Sequence, residues 1–437
     1  MQPLNFVQTL LNQNQLSDNL ALTLRTGQIV SGKVMKLFPN QIAEVLVGAN
    51  KVIAQLEVPL SVHERHWFQV QSGEGKVHLR VLEANSGNGN ASANGNILKE
   101  LALPNSKENT ALLEFFQNKQ LPITKETMHI AADWLKDKTL LDGLKIIDAV
   151  LSKQLPFTKN VLNSLYTIQE DEPISTLLDK LQSLLKKGEL SDASKRLSLI
   201  LDQLRLSESK TTSSLFQNNE ASHTQFIKDE LKTAIKTIGF SYENEMIKLI
   251  KDNEPFNINK LETLKPILMH LLSEEAAGPV QNAAEKLLNK ITGYQVLSQE
   301  AGPIQQLIFQ IPLTFLDKRT DLTMQWSGRK TENGQIDSNF CRVLFYLNLE
   351  NLKETIVDLH VQNRVISISV VNDREDLKNL AHRYIPYLKE RLQDIKYHLS
   401  TIHFEKPIDK KSNHIEKKKN LSGLKLPNQY NGVDFRI

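Results

Sequence analysis

Residues 340–380, FCRVLFYLNLENLKETIVDLHVQNRVISISVVNDREDLKNL, read as three strands followed by a switch to helical spacing. Strands joined by such short connections must pair as antiparallel neighbours. The apolar face of the resulting sheet needs a cover, and the helical run that follows supplies it.

The flanking sequence extends this pattern over 303–406. IQQLIFQIPL, TDLTMQW, FCRVLFYLNL, ETIVDLHV and RVISISVV are candidate strands, with a hairpin turn at Gln362 and Asn363. In NDREDLKNLAHRYIPYLKERLQDI, the residues Leu377, Leu380, Ala381, Tyr384, Leu388 and Leu392 recur at helical steps. Asn372 followed by Glu375 reads as an N-cap with a capping-box acid. Pro386 predicts a kink, because proline in a straight helix costs about 3 kcal/mol. HLSTIHF reads as a closing strand.

The N-terminal part has another texture. Over 20–83, Val77, Leu79 and Val81 alternate with Lys76, His78 and Arg80, and Val52, Ala54, Leu56 and Val58 alternate with polar neighbours and Ile53. Five such short strands separated by turn residues predict a small β-barrel-like module. The Gly/Asn-rich run 84–96 predicts a flexible linker. Residues 97–205 read as helices carrying an internal echo: KQLPITK at 119–125 and KQLPFTK at 153–159. The offset suits a helical repeat, but two copies read as a duplicated helix-turn-helix unit. A polar linker (206–225), further helices (226–300) and a Lys-rich tail (407–437) complete the chain. The expected fold is therefore multidomain α+β: a small all-β barrel, a helical middle, and a C-terminal sheet with one long amphipathic helix.

Chemistry is sparse in this pattern. The single cysteine, Cys341, lies on a strand with no base beside it in sequence, and a nucleophilic thiol needs one. His63 and His66 in HERH have no further ligand nearby, and a metal needs three or four. Gly73 and Gly75 flank a hairpin turn rather than opening a helix, so no phosphate loop is formed. The acids of SEEAAGP and DREDL are expected at helix starts, where carboxylates belong. The expectation is a protein without catalytic, cofactor or metal sites. A net charge of +3 over 437 residues is too weak a field to make the whole chain a nucleic-acid binder. The sequence has no Sec-type leader and no apolar run of membrane-spanning length, so the chain is expected in the cytoplasm. Export by a route without a cleaved signal is compatible with this.

The layout of 303–406 resembles the C-terminal domain of the flagellar hook-length control proteins, the FliK family. That domain carries a Leu-x-Pro-x-x-Leu-Gly-x-Val string, a Val/Ile-rich hairpin, an amphipathic helix and a closing strand. Here the string runs from Leu347 to Thr355. Leu347 and Leu352 match, while Leu349, Lys353 and Thr355 stand at the Pro, Gly and Val positions. The TGQIVSGKV and WFQVQ stretches and the LPxT helical units are similar to FliK-like proteins of Gram-positive bacteria, nearest to their uncharacterised YlqG-type members. The resemblance implies a non-enzymatic switch that meets the cytoplasmic domain of an FlhB-type export-gate protein. It places partner contacts at Leu347, Leu349, Glu350, Asn351, Leu352 and Lys353. The rival expectation is nucleic-acid binding through the barrel and the Lys-rich tail. It finds only Trp67 and Phe68 to stack bases and little net charge, so nucleic acid is not the expected partner. A third is an intracellular scaffold unrelated to flagella.

Overall fold

The computed structural model describes residues 24–72, 77–83, 90–170, 172–186, 191–214, 231–252, 263–274, 278–298, 300–301, 304–315, 318–332 and 334–407. The Gly73–Gly75 turn and the Lys-rich tail after residue 407 lie outside them, as do residues 84–89 and 215–225 of the two expected linkers. The chain divides into two units between Leu162 and Asn163.

The first unit opens with five strands, β1 (Ile29–Phe38), β2 (Ile42–Val47), β3 (Asn50–Leu56), β4 (Arg65–Gln71) and β5 (Val77–Glu83). They close into a barrel in the order β1-β2-β3-β5-β4, all pairs antiparallel except β3 with β5. Alternation decides what lies inside: Val34, Val45, Ala54, Phe68 and Leu79 are all buried. Gly32 is needed there, since a Cβ would sit 2.5 Å from Val45 and 3.1 Å from Phe68.

Helices α1 (Asn90–Glu100), α2 (Lys107–Asn118), α3 (Lys125–Leu135) and α4 (Leu140–Ser152) follow. The start of α1 corrects the linker expected over 84–96. Buried Ile97, Leu98 and Leu101 anchor the helix, and Gln117 of α2 donates to the Asn94 side chain at 2.9 Å. These tertiary contacts outweigh the roughly 1 kcal/mol that a helical glycine costs. Ile29 of β1 and Ile123 exchange backbone hydrogen bonds of 2.7 and 2.8 Å, tying the barrel to the helices.

The echo has a structural cause and a third member. Gln120 and Gln154 end α2 and α4 in the left-handed conformation, and Ala102 does the same after α1. In each case the N–H of the residue three beyond the helix end donates back into it: Leu103 to Leu98, Leu121 to Phe116 and Leu155 to Val150. A proline follows, and then Ser106, Thr124 or Thr158 accepts from a backbone N–H at the start of the next helix. The shared string is thus Leu-Pro-x-(Ser/Thr)-Lys, a stop and start signal for helices. The copy at 103–107 lacks Lys-Gln and is not visible as a repeat in the sequence.

In the second unit, helices α6 (Ile174–Leu185), α7 (Asp192–Ser214), α8 (Tyr242–Lys251), α9 (Leu264–Glu274) and α10 (Pro279–Leu297) follow α5 (Lys159–Gln169), within which the division falls. Helix α7 runs on to Ser214, so the linker expected from 206 begins as helix. A seven-stranded sheet in the order β12-β11-β10-β9-β8-β7-β6 completes the unit. Its strands are β6 (Glu300–Ala301), β7 (Ile304–Phe315), β8 (Lys318–Lys330), β9 (Ile336–Leu349), β10 (Lys353–Gln362), β11 (Val365–Asn372) and β12 (His398–Glu405). Strand β7 is buried on both faces, with Ile308, Phe309, Gln310 and Ile311 all inside. Gln310 and Asp321 accept from the backbone N–H groups of Ile174 and Ser175, capping α6 from the sheet.

Between β11 and its parallel neighbour β12 lie two short helices, α11 (Leu377–His382) and α12 (Ile385–Asp394). This corrects the single long helix. Pro386 sits in the first turn of α12, where its missing N–H is harmless, and the chain breaks just ahead of it. The N-cap of α11 is Asp376; Asn372 ends β11 instead. Glu274 closes α9 rather than opening a helix, pairing with His270 at 3.3 Å. The β10–β11 turn consists of Asn363 and Arg364, both at positive φ.

Candidate functional site

The six residues singled out for partner contact come together at the β9–β10 hairpin. Leu347 pairs with Thr355 and Leu349 with Lys353, leaving Glu350, Asn351 and Leu352 as the turn. Glu350 and Asn351 are exposed and Leu352 is half-buried. Lys353 has φ +57°, a left-handed position that favours glycine. Asn372 fastens this turn from the neighbouring strand. Its amide reaches the Leu352 and Glu354 carbonyls at 2.6 and 3.0 Å and the Thr355 hydroxyl at 2.9 Å, and its side-chain oxygen accepts from the Arg374 N–H. The hairpin therefore offers a rigid, outward tip bearing apolar, acidic and amide groups.

Behind the tip, Arg342 grips Asp358 through two hydrogen bonds of 2.8 and 2.5 Å, and His360 stands 3.3 Å from the same carboxylate. Burial pushes the Asp358 carboxyl up, but the bonds from Arg342 and His360 outweigh it and hold the group below the usual range. Burial pushes the nearby Tyr346 phenol up. It also pushes up the half-buried Cys341 thiol, which opposes thiolate formation.

His63 and His66 do not converge. His63 is exposed in a turn, whereas His66 is buried in the barrel, edge-on to Phe68. Among the described residues no three His, Cys, Asp or Glu side chains gather to hold a metal, and no helix is long and apolar enough to cross a membrane.

The barrel has a face of its own. Arg65, Lys33, Leu46 and Lys51 lie in register across β4, β1, β2 and β3, so three cations share one outward row. Glu44 pairs with Lys51 at 3.1 Å and partly neutralises it. Trp67 is half-buried beside this row, and Phe38 and Ile53 are exposed. Phe68, expected to be a stacking residue, is fully buried in the core. Phe38 is exposed instead, at the end of β1 where the chain turns through Pro39, Asn40 and Gln41.

A second surface escaped the sequence reading. Leu380 and Tyr384, assigned to the core face, are 36% and 59% exposed, together with Tyr387 and Ile395. The inward residues are Leu388 and Leu392, against Val361, Ile366 and Ile368. The spacings 380, 384, 387, 391 and 395 make a second stripe, which the first obscures.

Comparison with known proteins agrees with part of this picture. Residues 6–80 match the profile of the TP0910 S1-like domain. The chain is similar to the uncharacterized protein YlqG of Bacillus subtilis (strain 168), 30% identical over 209 residues. The match covers 48% of this chain and 35% of that protein, so the chain spans about a third of its relative's length. No solved structure matches.

Proposed function

We propose that the chain is a non-enzymatic adaptor of the hook-length control type, which docks an FlhB-type cytoplasmic domain through the β9–β10 hairpin. One observation carries this reading: the turn adopts a left-handed conformation at Lys353, where the resembled family places glycine. The chain keeps the backbone bend and changes the side chain. Asn372 holds the tip rigid from behind, and a preorganised tip loses little entropy on binding. The test is titration of the full chain against the cytoplasmic domain of the host's FlhB-type protein. Saturable binding with a Kd at or below about 50 μM, weakened severalfold by Glu350→Lys and by Leu352→Asp, supports the proposal. Absence of binding at several hundred micromolar, or equal binding by both variants, refutes it.

The row of Arg65, Lys33 and Lys51 beside Trp67 favours a second reading, single-stranded nucleic acid on the barrel. Cations neutralise phosphates while aromatic faces stack bases, and three phosphate contacts give a log–log salt slope of roughly −2. Fluorescence anisotropy of a labelled oligonucleotide decides it. Binding that weakens with salt and is lost in Lys33→Glu/Arg65→Glu supports this reading; indifference to those changes excludes it.

A further inference from the structure

We infer that the outward stripe of α11 and α12 is a docking surface for an acidic protein segment, separate from the β9–β10 hairpin. Leu380, Tyr384, Tyr387 and Ile395 present apolar side chains to solvent at 36%, 59%, 55% and 53% exposure. Single exposed apolar residues are ordinary, but four at helical spacing on one crossover are a patch, and such patches mark interfaces.

Two arginines are built into it. The Arg383 guanidinium lies 4.8 Å from the Tyr384 ring centre, and that of Arg391 5.2 Å from the Tyr387 ring. Arg391 also donates to the Tyr387 hydroxyl at 3.1 Å. Each pair is a rigid unit of aromatic area and fixed charge, the residue types that dominate binding hot spots. Over 377–397 these arginines and Lys378, Lys389 and Lys396 outnumber the acids Glu390 and Asp394, five to two. Local charge is thus +3, equal to the formal charge of the whole chain.

This charge selects the occupant. A second copy meeting the same face across a two-fold axis would set cation against cation, which is unfavourable. A nucleic-acid base would have to stack on rings that already carry a guanidinium over one side. An acidic helix or strand with a few Leu or Phe side chains meets both demands: carboxylates pair with the arginines and lysines, and its apolar side chains cover the tyrosines.

The test uses the full chain and a synthetic helical peptide that sets Leu and Phe among Glu and Asp. A twin peptide with Lys for every acid serves as comparison. The acidic peptide is expected to bind with a Kd of about tens of micromolar and its twin not at all. Arg383→Glu/Arg391→Glu and Tyr384→Ser/Tyr387→Ser should each weaken binding about tenfold. Leu199→Ser, on an exposed position of α7, should bind like the parent. Arg383, Tyr384, Tyr387 and Leu199 are exposed and Arg391 is half-buried on the same surface, near Asp394 at 4.0 Å, so far-UV circular dichroism should match across the set. Equal binding of both peptides, binding of neither, or indifference to the stripe variants overturns the inference. So does a stripe-dependent interaction seen only with anionic vesicles, with an oligonucleotide, or as self-association of the chain.

Discussion

Lys353 shows how a single residue carries a geometry that its identity does not advertise. A lysine at φ +57° is strained by the close approach of its Cβ to the backbone, a cost that glycine avoids. Lys353→Gly should therefore stabilise the protein by about 0.5–1 kcal/mol, read as a higher urea midpoint with an unchanged slope. Gly32 is the converse case. Its missing Cβ is filled by Val45 and Phe68, so Gly32→Ala should destabilise the barrel by about 1–3 kcal/mol, again measured by urea unfolding. A third residue ties stability to pH. Burial pushes the Lys153 ammonium down to about 8. The unfolded chain then holds the proton more tightly than the folded one, and stability should rise as pH increases from about 8 to about 10.5. Lys153→Met should flatten that rise and be the more stable form at neutral pH; thermal melts across this pH window would check both.

Among the elements, those set by local chemistry were legible and those set by packing were not. The period-2 alternation of Val77, Leu79 and Val81, and the Val/Ile-rich β10 and β11, announce strands whatever surrounds them. Helix α1 does not, because Gly and Asn argue against it locally and only the burial of Ile97, Leu98 and Leu101 decides in its favour. The crossover helices fail differently: two apolar stripes overlap at similar spacing, and sequence periodicity cannot tell which faces the sheet. The Leu-Pro-x-(Ser/Thr)-Lys signal was half legible, since two copies keep Lys-Gln ahead of it and the third has Leu-Ala. Its shared left-handed residue makes a clean prediction. Gln120→Gly and Gln154→Gly should each stabilise by about 0.5–1 kcal/mol, and the gains should add because the turns are separate. A double variant no more stable than either single one, by thermal melting, would contradict this account of the repeat.

At the scale of the molecule, composition placed boundaries at Gly/Asn- and Ser-rich runs, whereas the packing units part between Leu162 and Asn163, inside a helix. Linker composition reports the local entropy of the chain. A unit is defined by long-range contact, such as the Ile29–Ile123 pairing or the capping of α6 by Gln310. The candidate hairpin was legible because a resemblance marked its string, but its rigidity was not: Asn372 reads as a helix cap and acts instead as the bolt of the turn. The central claim is that this hairpin meets a protein partner. Hydrogen exchange of the full chain with and without the FlhB-type domain tests it most directly. The account predicts slowed exchange confined to residues 347–355 and the strand ends beside them. Unchanged exchange at that turn in a saturated complex, with protection elsewhere, would contradict it.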